Sequence, residues 1–239
     1  MSDRASFRQR LKDDTSVRVV VLPGEGRSFC AGLDVERIIA VTQGKSLLPF
    51  ADLTKRTHGV ANFAQHIFVW LWREITIPMI AAVHGVAFGG GFQLALSADV
   101  RFVAPSTRLG VIESQWGPVP DMAATLLMRS LAREDIVREL TYTGRIFSTD
   151  EALAYGFATR LAAAPLSEAM ALARDIAVRN PDAIRAPKRL LNRTLGSDAF
   201  SGLSEETEEQ RALLGSPNQT EAVRANLEKR APRFSDAVI

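Results

Sequence analysis

From Ile77 to Ala98 the chain reads IPMIAAVHGVAFGGGFQLALSA, a run without a single Asp, Glu, Lys or Arg. A stretch so apolar has to be withdrawn from water, and this one is long enough to span a bilayer. Its internal punctuation argues for another solution. Pro78, His84, Gly85, Gln93 and the triplet Gly89-Gly90-Gly91 break it into a short strand, a turn, a second extended piece and a helix start, so no membrane span is predicted. Such elements need other apolar elements to cover them. With 46% hydrophobic and 23% charged residues among 239, the chain supplies a full core, and disorder, collagen-like repeats and a disulfide-stapled miniature are excluded.

The charges are balanced, 29 basic against 27 acidic, and scattered, so nucleic-acid binding receives no support. A lone cysteine, Cys30, excludes an intrachain disulfide and fits a reducing compartment. The opening MSDRASFRQRLKDD has no apolar core of a signal peptide, and the cytoplasm is the expected location.

Val17 to Leu22 is a β-branched run ended by Pro23-Gly24 and predicts a buried strand. The helical spacing of Val35, Ile38 and Ile39 predicts a helix after Gly32. Thr42 to Lys55 reads as irregular, and Thr57 to Glu74 as a helix with a stripe at Val60, Phe63, Ile67, Trp70 and Leu71. Strands are predicted at Pro78 to Val83, Val86 to Phe88, Val100 to Val103 and Arg108 to Val111, helices from Gly89 and from about Met122. Beyond Thr141 the pattern turns helical, over Leu166 to Val178, Asp182 to Leu195, Leu203 to Leu214 and Thr220 to Lys229. The fold class is α/β, with a core over residues 1–144 and a mainly helical part over 145–239.

Two junctions, Cys30-Ala31-Gly32-Leu33 and Gly89-Gly90-Gly91, each end an extended segment at a helix start, where backbone N–H groups lack partners. Two such ends converging would place two donors on one oxygen, as a carbonyl gaining negative charge requires. Taken singly, either junction reads better as a tight turn or close packing that glycine permits, since Gly-rich turns are common in α/β proteins. The glycines match neither G-x-G-x-x-G nor the P-loop pattern, and no G-x-S-x-G elbow is present. His58, His66 and His84 show no metal-type spacing, so a metal-free enzyme is expected.

The run AAVHGVAFGGGFQLALSADVRFVAPSTRLGVIESQWGPVPDMAAT closely resembles the diagnostic stretch of the enoyl-CoA hydratase/isomerase (crotonase) superfamily, and RSFCAGLDV resembles its first oxyanion segment. Weaker echoes in LTYTGRIFSTDEALAYGFATRL and TEAVRANLEKRAPRF extend the likeness over roughly Val17 to Phe234. The resemblance implies a crotonase-like spiral of ββα units with a C-terminal helical oligomerisation region, a homotrimer or dimer of trimers, and an acyl-CoA thioester substrate with no cofactor beyond the CoA it carries. It implies that Leu33 and Gly90 supply the two N–H donors of the oxyanion hole. It also implies that Arg27 to Asp34, with Cys30, Ala31, Asp34 and Gly89, line the CoA site and that Arg37 contacts a phosphate.

Hydratases of the family use two glutamates. The second is present here as Glu113, while the first is Gln93, an amide that neither takes nor gives a proton at neutral pH but can hold a water or a substrate oxygen. Double-bond isomerisation with Glu113 as the base is therefore favoured, with hydration by a single glutamate and a non-catalytic acyl-CoA-binding oligomer as alternatives. Asp121 stands where dienoyl-CoA isomerases of the superfamily carry an acidic residue, and it reads equally well as a helix N-cap. A dehalogenase-like reading, with Asp121 as nucleophile and His66 as base, is opposed by a carboxylate at Glu113. Sixteen residues precede Val17, where the family usually has a further strand pair and a substrate-side loop, so part of the CoA pocket is expected to be missing.

Overall fold

The computed structural model describes residues 10–45 and 52–238, the side chain of Val35 apart. By chain contacts the protein divides into two units. One comprises the residues up to Val20, Arg73–Met79 and Met170 onward; the other comprises Val21–Trp72 and Ile80–Ala169. Residues 46–51 of the predicted irregular stretch lie outside the description.

The second unit holds all of the sheet residues except Val20 and Met79. A four-stranded sheet has the order β1 (Val20–Pro23), β2 (Met79–Val83), β4 (Val100–Val103), β6 (Arg160–Leu161), with β2, β4 and β6 parallel. Every residue of β2 is buried, which explains its continuous rather than alternating apolar sequence. A second, two-stranded sheet pairs β3 (Val86–Phe88) with β5 (Arg108–Gly110), also in parallel, with Phe88 opposite Gly110. The Ile77–Ala98 run thus divides between both sheets and the helix α3 (Gly90–Leu96). Among the described residues no helix is long and apolar enough to cross a membrane.

Helix α1 (Val35–Thr42) starts at Asp34, whose carboxylate caps it by accepting from the Glu36 N–H at 3.0 Å. The predicted helix over Thr57 to Glu74 begins only at Phe63. Asn62 forms a capping box with Gln65 there, each side chain bonded to the other's backbone N–H, and this stops helix propagation toward the N-terminus. The helix α2 then runs through Phe63–Gln65, a π-helical turn His66–Trp70 and Leu71–Glu74. The core around α3 is aromatic: Phe92 meets the edges of Phe147 and Phe157 at 5.5 Å, and all three rings are buried.

The first unit is mainly helical. After helices α5 (Glu134–Thr143) and α6 (Thr149–Tyr155) of the other unit, the later part of helix α7 (Pro165–Ala177) belongs to it, with α8 (Pro181–Arg193), α9 (Ala199–Leu213) and α10 (Pro217–Leu227). The last two begin earlier than predicted, because Asp198 and Ser216 cap them and Pro217 sits in the first turn, where a missing N–H costs nothing. Buried Arg185 of α8 donates to the carbonyls of Asp14 at 2.8 Å and Val17 at 3.1 Å, and Lys188 to the carbonyl of Ile77 at 2.7 Å. These carbonyls satisfy cations that burial would otherwise penalise.

Candidate active site

Three extended segments run side by side in the same direction. Cys30 pairs in parallel with Ala87 of β3, and β3 pairs in parallel with β5. Their carboxyl ends carry the residues singled out from the sequence, the usual place for ligands in open parallel sheets.

On the first segment Cys30 is half-buried, whereas Ala31, Leu33, Asp34 and Arg37 are exposed; Asp34 is occupied as the cap of α1. On the second, Gly89 has φ 52° and donates its N–H to the Gly110 carbonyl at 2.9 Å, which turns the chain into α3. Gly91 lies so close to Cys30 that a Cβ would overlap the Cys30 carbonyl oxygen and stand 2.9 Å from its Sγ. The two junctions are therefore packed against each other. Among the described residues neither the Leu33 nor the Gly90 N–H has an acceptor.

On the third segment, β5 ends at Gly110 and a 3-10 turn (Glu113–Trp116) follows. Glu113 Oε1 is 3.3 Å from where a Gly89 Cβ would stand, which places this carboxylate beside the second junction. Its Oε1 accepts from Gln93 Nε2 at 2.6 Å, and its Oε2 is buried without a hydrogen-bond partner among the described residues. Burial pushes the Glu113 carboxyl above the usual range; its own backbone N–H and the Gln93 donor oppose this, and the charge of Asp121 adds to it.

Gln93 is held by protein groups on both sides. The side chain is 1% exposed, and its Oε1 accepts from the N–H groups of Met122 at 2.8 Å and Ala124 at 3.1 Å. This also decides the capping question for Asp121. Helix α4 (Ala124–Arg129) begins later than predicted, with Ala123 at its N-cap in the left-handed region at φ 73°, and Gln93 supplies the oxygen that a capping Asp would have supplied. Asp121 is left uncommitted to that helix and exposed at the edge of the site, with protein crowding that raises its carboxyl above the usual range.

Gln65 escaped sequence reasoning. Its Nε2 donates to the Asp121 carbonyl at 3.0 Å while its Oε1 serves the Asn62 capping box, and no periodic pattern marks such a role. His66 is buried in the π-helical turn with its ring stacked on His58 at 4.2 Å. Among the described residues no group of three or more His, Cys, Asp or Glu is arranged to hold a metal ion.

Parallel segments ending in unpaired backbone donors, with a half-buried carboxylate beside them, define an α/β enzyme of the crotonase fold. Solved structures agree: an enoyl-CoA hydratase from Bacillus anthracis matches with a TM-score of 0.84 at 26% identity, over 98% of this chain and 87% of that one. Another, from Polaromonas sp. JS666, reaches 0.86 at 26% identity, over 97% of this chain and 88% of that one. The model of the enoyl-CoA hydratase/isomerase family matches residues 5–237, and the chain belongs to that family, whose enzymes act on acyl-CoA. Among named relatives, carnitinyl-CoA dehydratase of Proteus mirabilis (strain HI4320) is 36% identical over 188 residues, 77% of this chain and 67% of the relative. The mitochondrial methylglutaconyl-CoA hydratase of Mus musculus is 28% identical over 232 residues, 94% of this chain and 70% of the relative.

Proposed function

We propose that this enzyme shifts the double bond of an unsaturated acyl-CoA thioester. The N–H groups of Leu33 and Gly90 hold the thioester oxygen as it becomes an enolate oxygen, and Glu113 Oε2 takes a proton from one carbon and returns it to another. Cys30, Ala31, Asp34 and Gly89 line the CoA, and Arg37 meets a phosphate. The observation that carries this reading is the state of Glu113: one oxygen is held by Gln93 and the other is buried, unpartnered and raised in basicity by its surroundings. A carboxylate desolvated in this way is a stronger base than one in water.

Hydration is the second reading, favoured by the names of the relatives, a dehydratase and a hydratase. Proton NMR in D₂O with crotonyl-CoA, a 3-enoyl-CoA and a 3,5-dienoyl-CoA separates the two. Solvent deuterium at the moved carbon without hydroxyacyl product supports isomerisation, whereas 3-hydroxyacyl-CoA from crotonyl-CoA overturns it. A homotrimer or dimer of trimers in the cytoplasm completes the proposal, and light scattering of the purified protein tests the assembly.

A further inference from the structure

We propose that Gln93 is a positioning residue, one buried amide that ties Glu113 to the turn bearing Asp121 and Met122, so that Glu113 presents Oε2 to the substrate and Gln93 itself activates no water. The inference rests on the reading of Glu113 as the base. The amide makes bonds on both sides: Nε2 to Glu113 Oε1 at 2.6 Å, and Oε1 from the Met122 and Ala124 N–H groups at 2.8 and 3.1 Å. The two backbone donors decide which way round the amide sits, since the reversed amide would set hydrogens against hydrogens.

An amide oxygen has two lone pairs, and here both are taken. A water that attacks carbon must hand its proton to an acceptor. Gln93 has no acceptor to offer and Glu113 Oε1 already accepts one hydrogen bond, so in this pair Glu113 Oε2 is the oxygen left without a partner among the described residues to receive a proton. The same bonds explain the Ala123 backbone, which is held at φ 73° although alanine disfavours that region. The flanking N–H groups of Met122 and Ala124 are fastened to Gln93, and the carbonyl of Asp121 to Gln65. Met122 Sδ in turn lies 3.3 Å from where a Gly90 Cβ would stand, so the turn reaches the oxyanion junction itself.

Gln93→Met and Gln93→Glu test this. The methionine removes donor and acceptor together, whereas the glutamate keeps an acceptor for Met122 and Ala124 and loses the donor to Glu113. Three quantities are read: kcat and KM separately, the pH dependence of kcat/KM, and the titration of the Glu113 carboxyl by carbon-13 NMR, assigned by its loss in Glu113→Gln. In Gln93→Met, kcat is expected to fall roughly tenfold or more with KM less affected, as for loss of a hydrogen bond to a charged group. The acid limb and the Glu113 titration both move to higher pH, because the lost donor favoured the ionised form. In Gln93→Glu the fold is retained and the two carboxyls titrate as a coupled pair, which keeps the test alive if the methionine variant does not fold. An unmoved Glu113 titration in either folded variant overturns the inference. Absence of turnover of any enoyl-CoA by the wild-type enzyme would instead remove the reading of the reaction, and the titration would still decide the role of Gln93.

Discussion

Cys30 and Ala87 are parallel partners, the Cys30 N–H donating to the Val86 carbonyl and the Cys30 carbonyl accepting from the Phe88 N–H, each at 3.1 Å. Leu33 and Gly90 stand three residues beyond that pair on their respective segments, so two N–H groups 57 positions apart in the chain are delivered to the same end of neighbouring strands. The register, rather than either glycine motif alone, sets both residues at that end.

Glu113→Gln keeps the side-chain shape and still offers an oxygen to Gln93 Nε2, so the fold is expected to persist. Positioned proton transfer commonly contributes about 10²–10⁴-fold, and kcat should fall by that order with KM changed far less. Steady-state kinetics on whichever enoyl-CoA the enzyme turns over reads this, and a rate within a few-fold of wild type would remove Glu113 from its role.

The pH dependence follows from the carboxyl pair. As the proposed base Glu113 has to be ionised, so kcat/KM is expected to rise with pH through its elevated value. Asp121→Asn removes a repelling charge and should move that limb to lower pH. Stability has the opposite sense: carboxyls whose folded pKa values are raised disfavour folding once ionised, so their cost is absent below the unfolded value and grows as pH rises through the folded one. Urea unfolding should therefore show Asp121→Asn more stable than wild type near neutrality and not in acid.

Neighbouring glycines should respond differently to alanine. At Gly91 a methyl group overlaps the Cys30 carbonyl, which already accepts from the Phe88 N–H, so relief requires the two junction segments to separate. A loss of about 1–3 kcal/mol in unfolding free energy, the range for overpacking, is expected together with a fall in kcat. At Gly90 the methyl group meets only the Met122 thioether at 3.3 Å, a flexible chain end that can shift. Denaturant unfolding of the two variants side by side should show the larger loss at Gly91.

Ala123→Gly relieves a left-handed alanine while adding chain entropy to the unfolded state. The balance should stabilise the protein by up to about 1 kcal/mol. A higher Tm with the Glu113 titration unchanged would show that the Gln93 bonds, rather than the alanine, hold the turn.

The strands, the helical C-terminal part and both glycine junctions were legible from the amino-acid order because each depends on neighbours: β-branched runs, helical spacing, and glycine where only glycine fits. Glu113 was legible through its place in a recognisable stretch. The boundaries near residues 62 and 123 were not, because the capping box of Asn62 and the absence of a local cap before Ala124 outweigh the apolar periodicity there. Gln93 shows the limit most clearly. Its sequence position identifies an amide where a carboxylate was expected, and chemistry alone allows that amide to hold a water. Only the tertiary structure decided its partners, because the Glu113 carboxylate and the Met122 and Ala124 N–H groups lie 20, 29 and 31 residues further along the chain. A hydrogen bond acts over a few ångströms of space, and a separation in sequence becomes such a distance only when the parallel segments have paired.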